Sequence, residues 1–201
     1  MKTNREYRKC ADFRTLDESG SYIVEGYATT FEQPYTLMDM GWSEIREVID
    51  KDAFAKCDMS DVIFQYDHEG RVFARNKNHT LTIVPDGHGL KITADLGGTE
   101  AGRQLWQEIK GGYTDKMSFA FVVSDEKTER EKIDGKIIYT RRITGIRKLY
   151  DVSAVSMPAN DSTSISARSW ADGVIAELEA ERLHALNISK LKLKLKMEGF
   201  T

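Results

Sequence analysis

Apolar and polar residues alternate with period two along much of this chain, the pattern of strands with one buried face. The clearest run is residues 116–122, after Gly111 and Gly112. Met117, Phe119 and Phe121 share one face there; Ser118, Ala120 and Val122 point the other way. Further strands are predicted at 21–31, 42–49, 62–66, 71–74, 79–84, 90–96, 137–146 and 149–157. Gly26 in mid-strand suggests a bulge or a close backbone approach. Residues 33–41 read as a loop around Pro34, and 85–89 as a strong turn. Period 3.6 replaces period two in three places. Asp50 caps a short helix over 51–56. Thr99 caps one over 98–109, with Leu105, Trp106 and Ile109 as its apolar stripe. A third spans 171–186, with Val174, Ile175, Leu178, Leu183 and Leu186 on one face. Residues 124–134 are dominated by Asp, Glu, Lys and Arg, and read as an exposed hairpin or mobile excursion.

These elements sum to about eight short strands, two compact helices and a C-terminal helix. The expected class is mainly β (α+β), a closed or nearly closed barrel with helices packed on it, rather than a parallel α/β sheet. Residues 1–19 are expected to form an N-terminal arm or loose first strand, 20–165 the barrel domain, and 166–201 an appended linker, helix and basic tail. Residues 190–196 alternate Lys and Leu. That pattern suits a β-like strip, an extended helix or a disordered tag.

Composition narrows the functional classes. The chain has 201 residues, 40% hydrophobic and 30% charged, as in a water-soluble globular protein. A net charge of −3 supplies no basic field for duplex nucleic acid. Cys10 and Cys57 form no disulfide framework, so a reducing compartment is expected. No apolar run reaches the ~18 residues of a membrane span. The start is polar and basic, unlike a secretory signal. Cytoplasmic residence follows as the expectation, with no cofactor and no metal.

Ser118 lies between bulky apolar neighbours. It is either a buried serine bonded to nearby backbone or a nucleophile held on a rigid element. A base and an orienting acid elsewhere would decide. His79, His88 and His184 sit in polar, turn and late-helix contexts that suit solvated or structural roles. His68 ends an apolar strand just before Gly70, where a general base can be aimed from a rigid element. Asp151 lies in a strand whose Tyr150, Val152 and Val155 call for burial, and a carboxylate there needs a partner. An imidazole is one such partner; Arg147 or Lys148 at a strand edge is the other. His68, Ser118 and Asp151 together supply the base, hydroxyl and carboxylate of acyl-transfer chemistry. Cys57 is a weaker nucleophile candidate, at the end of a charged helix without strand support.

Several segments carry a resemblance. In order they are Gly26-Tyr27-Ala28, Glu47-Val48-Ile49, Asp52-Ala53-Phe54, Asp67-His68-Glu69, Gly89-Leu90-Lys91-Ile92, Met117-Ser118-Phe119-Ala120-Phe121, and Asp151 through Asn160. Over roughly residues 20–165 the chain resembles the prohead maturation proteases of tailed bacteriophages. These are serine peptidases related in fold to the herpesvirus assemblins. The resemblance implies an assemblin-like β-barrel, with His68 as base, Ser118 as nucleophile and Asp151 as third member. The family commonly has Glu at that third position, and often Ser-Ile-Gly-Phe where this chain has Ser118-Phe119-Ala120-Phe121. By the same resemblance, oxyanion donors fall at the backbone N–H groups of Ala159 and Asn160; Pro158 has none to give. The implied substrates are the major capsid protein with its scaffold (delta) segment and the protease's own tail. The implied site of action is the immature prohead in the host cytoplasm, and self-association follows by analogy with the assemblins. A different class of protein, a catalytically silent barrel that binds capsid or scaffold protein, shares all these features except a working serine.

Overall fold

The computed structural model describes residues 5–10, 13–16, 20–156 and 165–197, and divides the chain into two units, Met1–Ile165 and Ser166–Thr201. Eleven strands lie among the described residues of the first unit: β1 (Glu6–Cys10), β2 (Phe13–Thr15), β3 (Ile23–Thr30), β4 (Tyr35–Asp39), β5 (Ser43–Ile49), β6 (Ile63–Tyr66), β7 (Glu69–Arg75), β8 (Leu81–Pro85), β9 (Gly89–Asp95), β10 (Lys116–Ile133) and β11 (Lys136–Val155). Helix α1 (Glu100–Lys110) completes that unit; helix α2 (Ile165–Met197) supplies the described part of the second.

The strands form two sheets. The larger runs β1-β10-β11-β5-β4, with β6 also on β11 and β7 on β6; the smaller runs β2-β3-β9-β8. No closed barrel forms among the described residues, which corrects the expectation of barrel closure. The pairing of β11 explains why. Its free edge takes β5 in parallel from Ile137 to Ile143, then an isolated bridge from Lys148 to Asp58, then β6 in parallel from Asp151 to Ala154. One 20-residue strand thus holds an interrupted second strand along its length, and the sheet branches there instead of curling shut.

The acidic and basic stretch at 124–134 is the distal half of one long hairpin. β10 and β11 pair antiparallel almost throughout, and the turn at Asp134 and Gly135 has φ of 49° and 84°. Positive φ at both central positions matches the right-handed twist of a hairpin. The helix predicted over 51–56 is instead a series of i to i+3 turns, Ala53 N–H to Asp50 O, Ala55 N–H to Asp52 O and Cys57 N–H to Phe54 O. Residues 35–39, read as loop, form edge strand β4. Its mostly exposed side chains hide the alternation that marks a buried strand. The register break in β3 lies between Tyr27 and Thr30, beyond Gly26. The Lys/Leu run at 190–196 continues α2, which exposes Leu183, Leu186, Leu191 and Leu193.

Both sheets and α1 bury one core. Val24, Ile92, Phe64, Met117, Phe119 and Ile143 are all fully enclosed. Phe119 and Phe121 stack at 4.6 Å on the core face of β10. Helix α1 starts where Thr99 Oγ accepts the Gly102 N–H at 3.0 Å. A Cβ on Gly102 would come within 2.1 Å of the Leu96 carbonyl oxygen, so only glycine lets the helix begin this close to the preceding strand.

A buried ionic cluster spans the larger sheet. Glu6 and Arg8 of β1, Glu47 of β5 and Arg141 of β11 are each at most 5% exposed. Arg8 Nη2 donates to Glu47 Oε2 at 2.7 Å and to Glu6 Oε2 at 2.6 Å. Arg141 Nη1 donates to Glu6 Oε2 at 2.7 Å and to Glu47 Oε2 at 3.0 Å. Tyr35 donates to Glu47 as well. Burial alone pushes Glu6 up, but the Arg141 hydrogen bond and the charges of Arg8 and Arg141 outweigh it. The carboxyl is held below its ordinary 4.5. Glu44 is held at about 2 by its hydrogen bonds from Arg46 and Thr36. Both groups keep their protons off more readily when folded than when unfolded. Their contribution to stability is therefore complete above pH 4.5 and is lost as pH falls toward 2. Urea midpoints are expected to drop across this window, and the drop should be shallower in Glu44→Gln. A midpoint flat across the same window would contradict the linkage.

Candidate active site

The chemistry-bearing side chains sit on the larger sheet, on the face of β10 opposite Phe119. Ser118 pairs with Ser153, and Ala120 with Asp151, so Ser118 and Asp151 are diagonal neighbours on that face. Ser118 is 5% exposed and Asp151 4%. His68 arrives from the other side of β11. Parallel pairing fixes β6 against Asp151, Val152, Ser153 and Ala154, and the chain then reverses into β7. Asp67 and His68 are the two central residues of that reversal, with φ of 49° and 60°. Asp and His are among the residues that tolerate this left-handed region. His68 therefore occupies the turn itself, two residues past the end of β6.

The three groups meet. His68 Nε2 is 2.6 Å from Ser118 Oγ, and His68 Nδ1 is 2.5 Å from Asp151 Oδ1. A neutral imidazole with its proton on Nδ1 donates that proton to the carboxylate, which leaves Nε2 to accept the serine hydroxyl. In that state the chain can take the Ser118 proton and place the resulting positive charge beside a carboxylate. Asp151 Oδ1 also accepts the Ser153 hydroxyl at 2.8 Å, and Ser153 is fully buried. The Tyr7 ring meets the His68 ring edge-on, with centroids 4.6 Å apart. The imidazole is 16% exposed, more than the serine and the carboxylate it touches.

Sequence reasoning missed Ser153, Tyr7 and Asp67 as parts of this site. Ser153 carried a faint signal, a hydroxyl two residues from a buried carboxylate on the same strand face. Tyr7 carried none, because its place beside His68 depends on β1 pairing with β10 more than a hundred residues away. Ala159 and Asn160, the expected oxyanion donors, lie outside the described residues. Arg147 and Lys148 are not the partners of Asp151; Lys148 instead pairs with Asp58 at 2.8 Å. The remaining histidines stand apart. His79 closes a short 3₁₀ turn in the left-handed region, His88 packs its ring on Tyr27, and His184 is exposed on α2. Burial pushes the Cys57 thiol up to about 11, which keeps it protonated near neutral pH and unsuited to nucleophilic attack. Among the described residues no helix is long and apolar enough to cross a membrane.

Hydroxyl, imidazole and carboxylate in series are the working parts of a serine hydrolase. The family model of caudovirus prohead serine proteases matches residues 9–173 of the 201, and the chain belongs to that family. It is accordingly a serine peptidase of phage prohead assembly and maturation, with capsid-related substrates and a place in the phage prohead within the host cell. Searches of curated proteins and of solved structures found no match.

Proposed function

We propose that this peptidase cleaves the scaffold (delta) segment of the major capsid protein inside the immature prohead, with Ser118 as nucleophile, His68 as general base and Asp151 as the group that orients and stabilises the imidazolium. The observation that carries this reading is the unbroken series of contacts from Ser118 Oγ through His68 to Asp151, at 2.6 and 2.5 Å. Ser118 Oγ attacks the scissile carbonyl as its proton passes to His68 Nε2. The imidazolium then protonates the leaving amine, and water clears the acyl-enzyme by the same route in reverse. Backbone N–H groups at Ala159 and Asn160 hold the tetrahedral oxyanion, a contribution of ~3 kcal/mol per donor in comparable sites. Residues 20–165, with β1 and β2 of the N-terminal arm added to their sheets, form the assemblin-like peptidase body, copies of which self-associate, and 166–201 an appendage that the enzyme removes from itself.

Co-expression with the phage's own capsid protein tests the reading. Wild type is expected to shorten the capsid protein at a defined site, and Ser118→Ala to leave it whole. Capsid binding without cleavage by wild type would favour a silent binding module. Intact-mass measurement of the purified protease tests the appendage: loss of mass beyond residue 170 in wild type but not in Ser118→Ala is expected, and equal masses after long incubation would remove self-processing from the scheme.

A further inference from the structure

The turn that carries His68 is fastened to β11 by more than strand pairing. The parallel ladder between β6 and β11 ends at the pair Tyr66 and Ala154. Asp67 N–H adds one more rung, donating to the Ala154 carbonyl oxygen at 2.9 Å. The Asp67 side chain then continues the ladder in place of backbone. Its Oδ1 accepts the Ser156 N–H at 3.0 Å, and its Oδ2 accepts the Ser156 hydroxyl at 2.9 Å. A carboxylate gripping one residue through both oxygens fixes direction as well as distance.

This grip matters because of where it acts. A two-residue reversal at the tip of a ribbon can rock about its flanking strands. His68 must nevertheless hold Ser118 on one nitrogen and Asp151 on the other, each within 2.6 Å. A displacement of ~1 Å at a reacting group can cost on the order of 100-fold in rate. Asp151 and Ser156 lie on the same stretch of chain, so a clamp from Asp67 to Ser156 sets His68 in the frame of its own carboxylate partner.

We propose that Asp67 is a positioning residue: its carboxylate, bound to Ser156, aims His68 at Ser118. The inference rests on the roles given to Ser118, His68 and Asp151 above. Two properties of Asp67 must be separated, its tolerance of positive φ and its grip on Ser156. Glycine supplies the first without the second. Asparagine supplies both, since its carbonyl accepts the Ser156 N–H and its amide donates to the Ser156 oxygen.

The test uses the full-length protein and two readouts. One is the rate at which a fluorophosphonate probe labels Ser118; the other is kcat and KM on the recombinant capsid protein. Asp67→Gly is expected to lower labelling rate and kcat by about 10- to 100-fold with KM unchanged. Asp67→Asn should stay within about threefold of wild type, because its hydrogen bonds are kept. Ser156→Ala, which leaves the turn untouched, should lose about fivefold through one missing hydrogen bond. Equal rates for Asp67→Gly and wild type, or a wild-type rate for Ser156→Ala, would overturn the clamp. Should the glycine variant not fold, Ser156→Ala alone decides. Ser118→Ala is run beside them: labelling or cleavage by that variant would sink the underlying roles, whereas an inert Ser118→Ala beside a fully active Asp67→Gly sinks only the clamp.

Discussion

Peptidase turnover is expected to fall by about 10⁴-fold or more when Ser118 is replaced by alanine, with the fold and thermal midpoint preserved. The size of the loss follows from the geometry. Among the described residues Ser118 is the hydroxyl in contact with His68 Nε2, and it sits on a rigid strand whose opposite face is packed in the core. Alanine removes the hydroxyl without disturbing Phe119 or Met117. Asp151→Asn should cost less. An amide oxygen facing His68 Nδ1–H keeps the tautomer and the Ser153 bond, and only the charge that stabilises the imidazolium is lost. Steady-state kinetics on capsid protein measure both. Cleavage by Ser118→Ala at the wild-type rate would remove Ser118 from the chemistry, and an Asp151→Asn loss larger than the serine loss would contradict an orienting role.

The largest effect on stability is expected at the buried ionic cluster. Glu47→Ala should destabilise the protein by about 3–5 kcal/mol, because it removes an acceptor from buried charges that have no solvent to fall back on. Glu47 is fully enclosed and receives Arg8, Arg141 and Tyr35 together. Burial and then the Glu47 charge push the Tyr35 phenol well above its ordinary 10, so it stays a donor. Without Glu47, Glu6 is left to face both guanidinium groups, while Glu126 accepts from Arg141 but leaves Arg8 without its bidentate partner. Urea denaturation checks this, and a loss below about 1 kcal/mol would show that the cluster relaxes or admits water. The effect should reach the site indirectly. Arg8 anchors β1, whose neighbouring Tyr7 packs on His68, so a loosened cluster should also slow labelling of Ser118.

How far the sequence could be read depended on whether a feature is local. Alternation at Met117, Phe119 and Phe121 reports a face, and the core lies on that face. Thr99 as a helix cap and 85–89 as a turn are local chemistry, visible in a few residues. Partner choice is not local. Nothing in residues 43–49 or 63–66 says that both lie parallel to β11, and the expectation of a closed barrel failed at that point. The edge strand β4 escaped notice because burial does not shape its composition. The same division holds at the site. His68, Ser118 and Asp151 were singled out by their strand contexts and by family resemblance. Ser153, Tyr7 and Asp67 enter through register and turn geometry, which single residues do not announce.

The position of β11 has a bearing on biosynthesis. Ser118 and His68 belong to segments that leave the ribosome before β11, and the strand that holds them side by side is the last of the eleven to be made. Until residue 155 has emerged, a nascent chain carries the hydroxyl and the imidazole with nothing between them to set their spacing. Long-range pairings of this kind form late and slowly. Host proteins near the translating ribosome thus meet an unassembled peptidase, and competence to cut begins only when the final strand inserts.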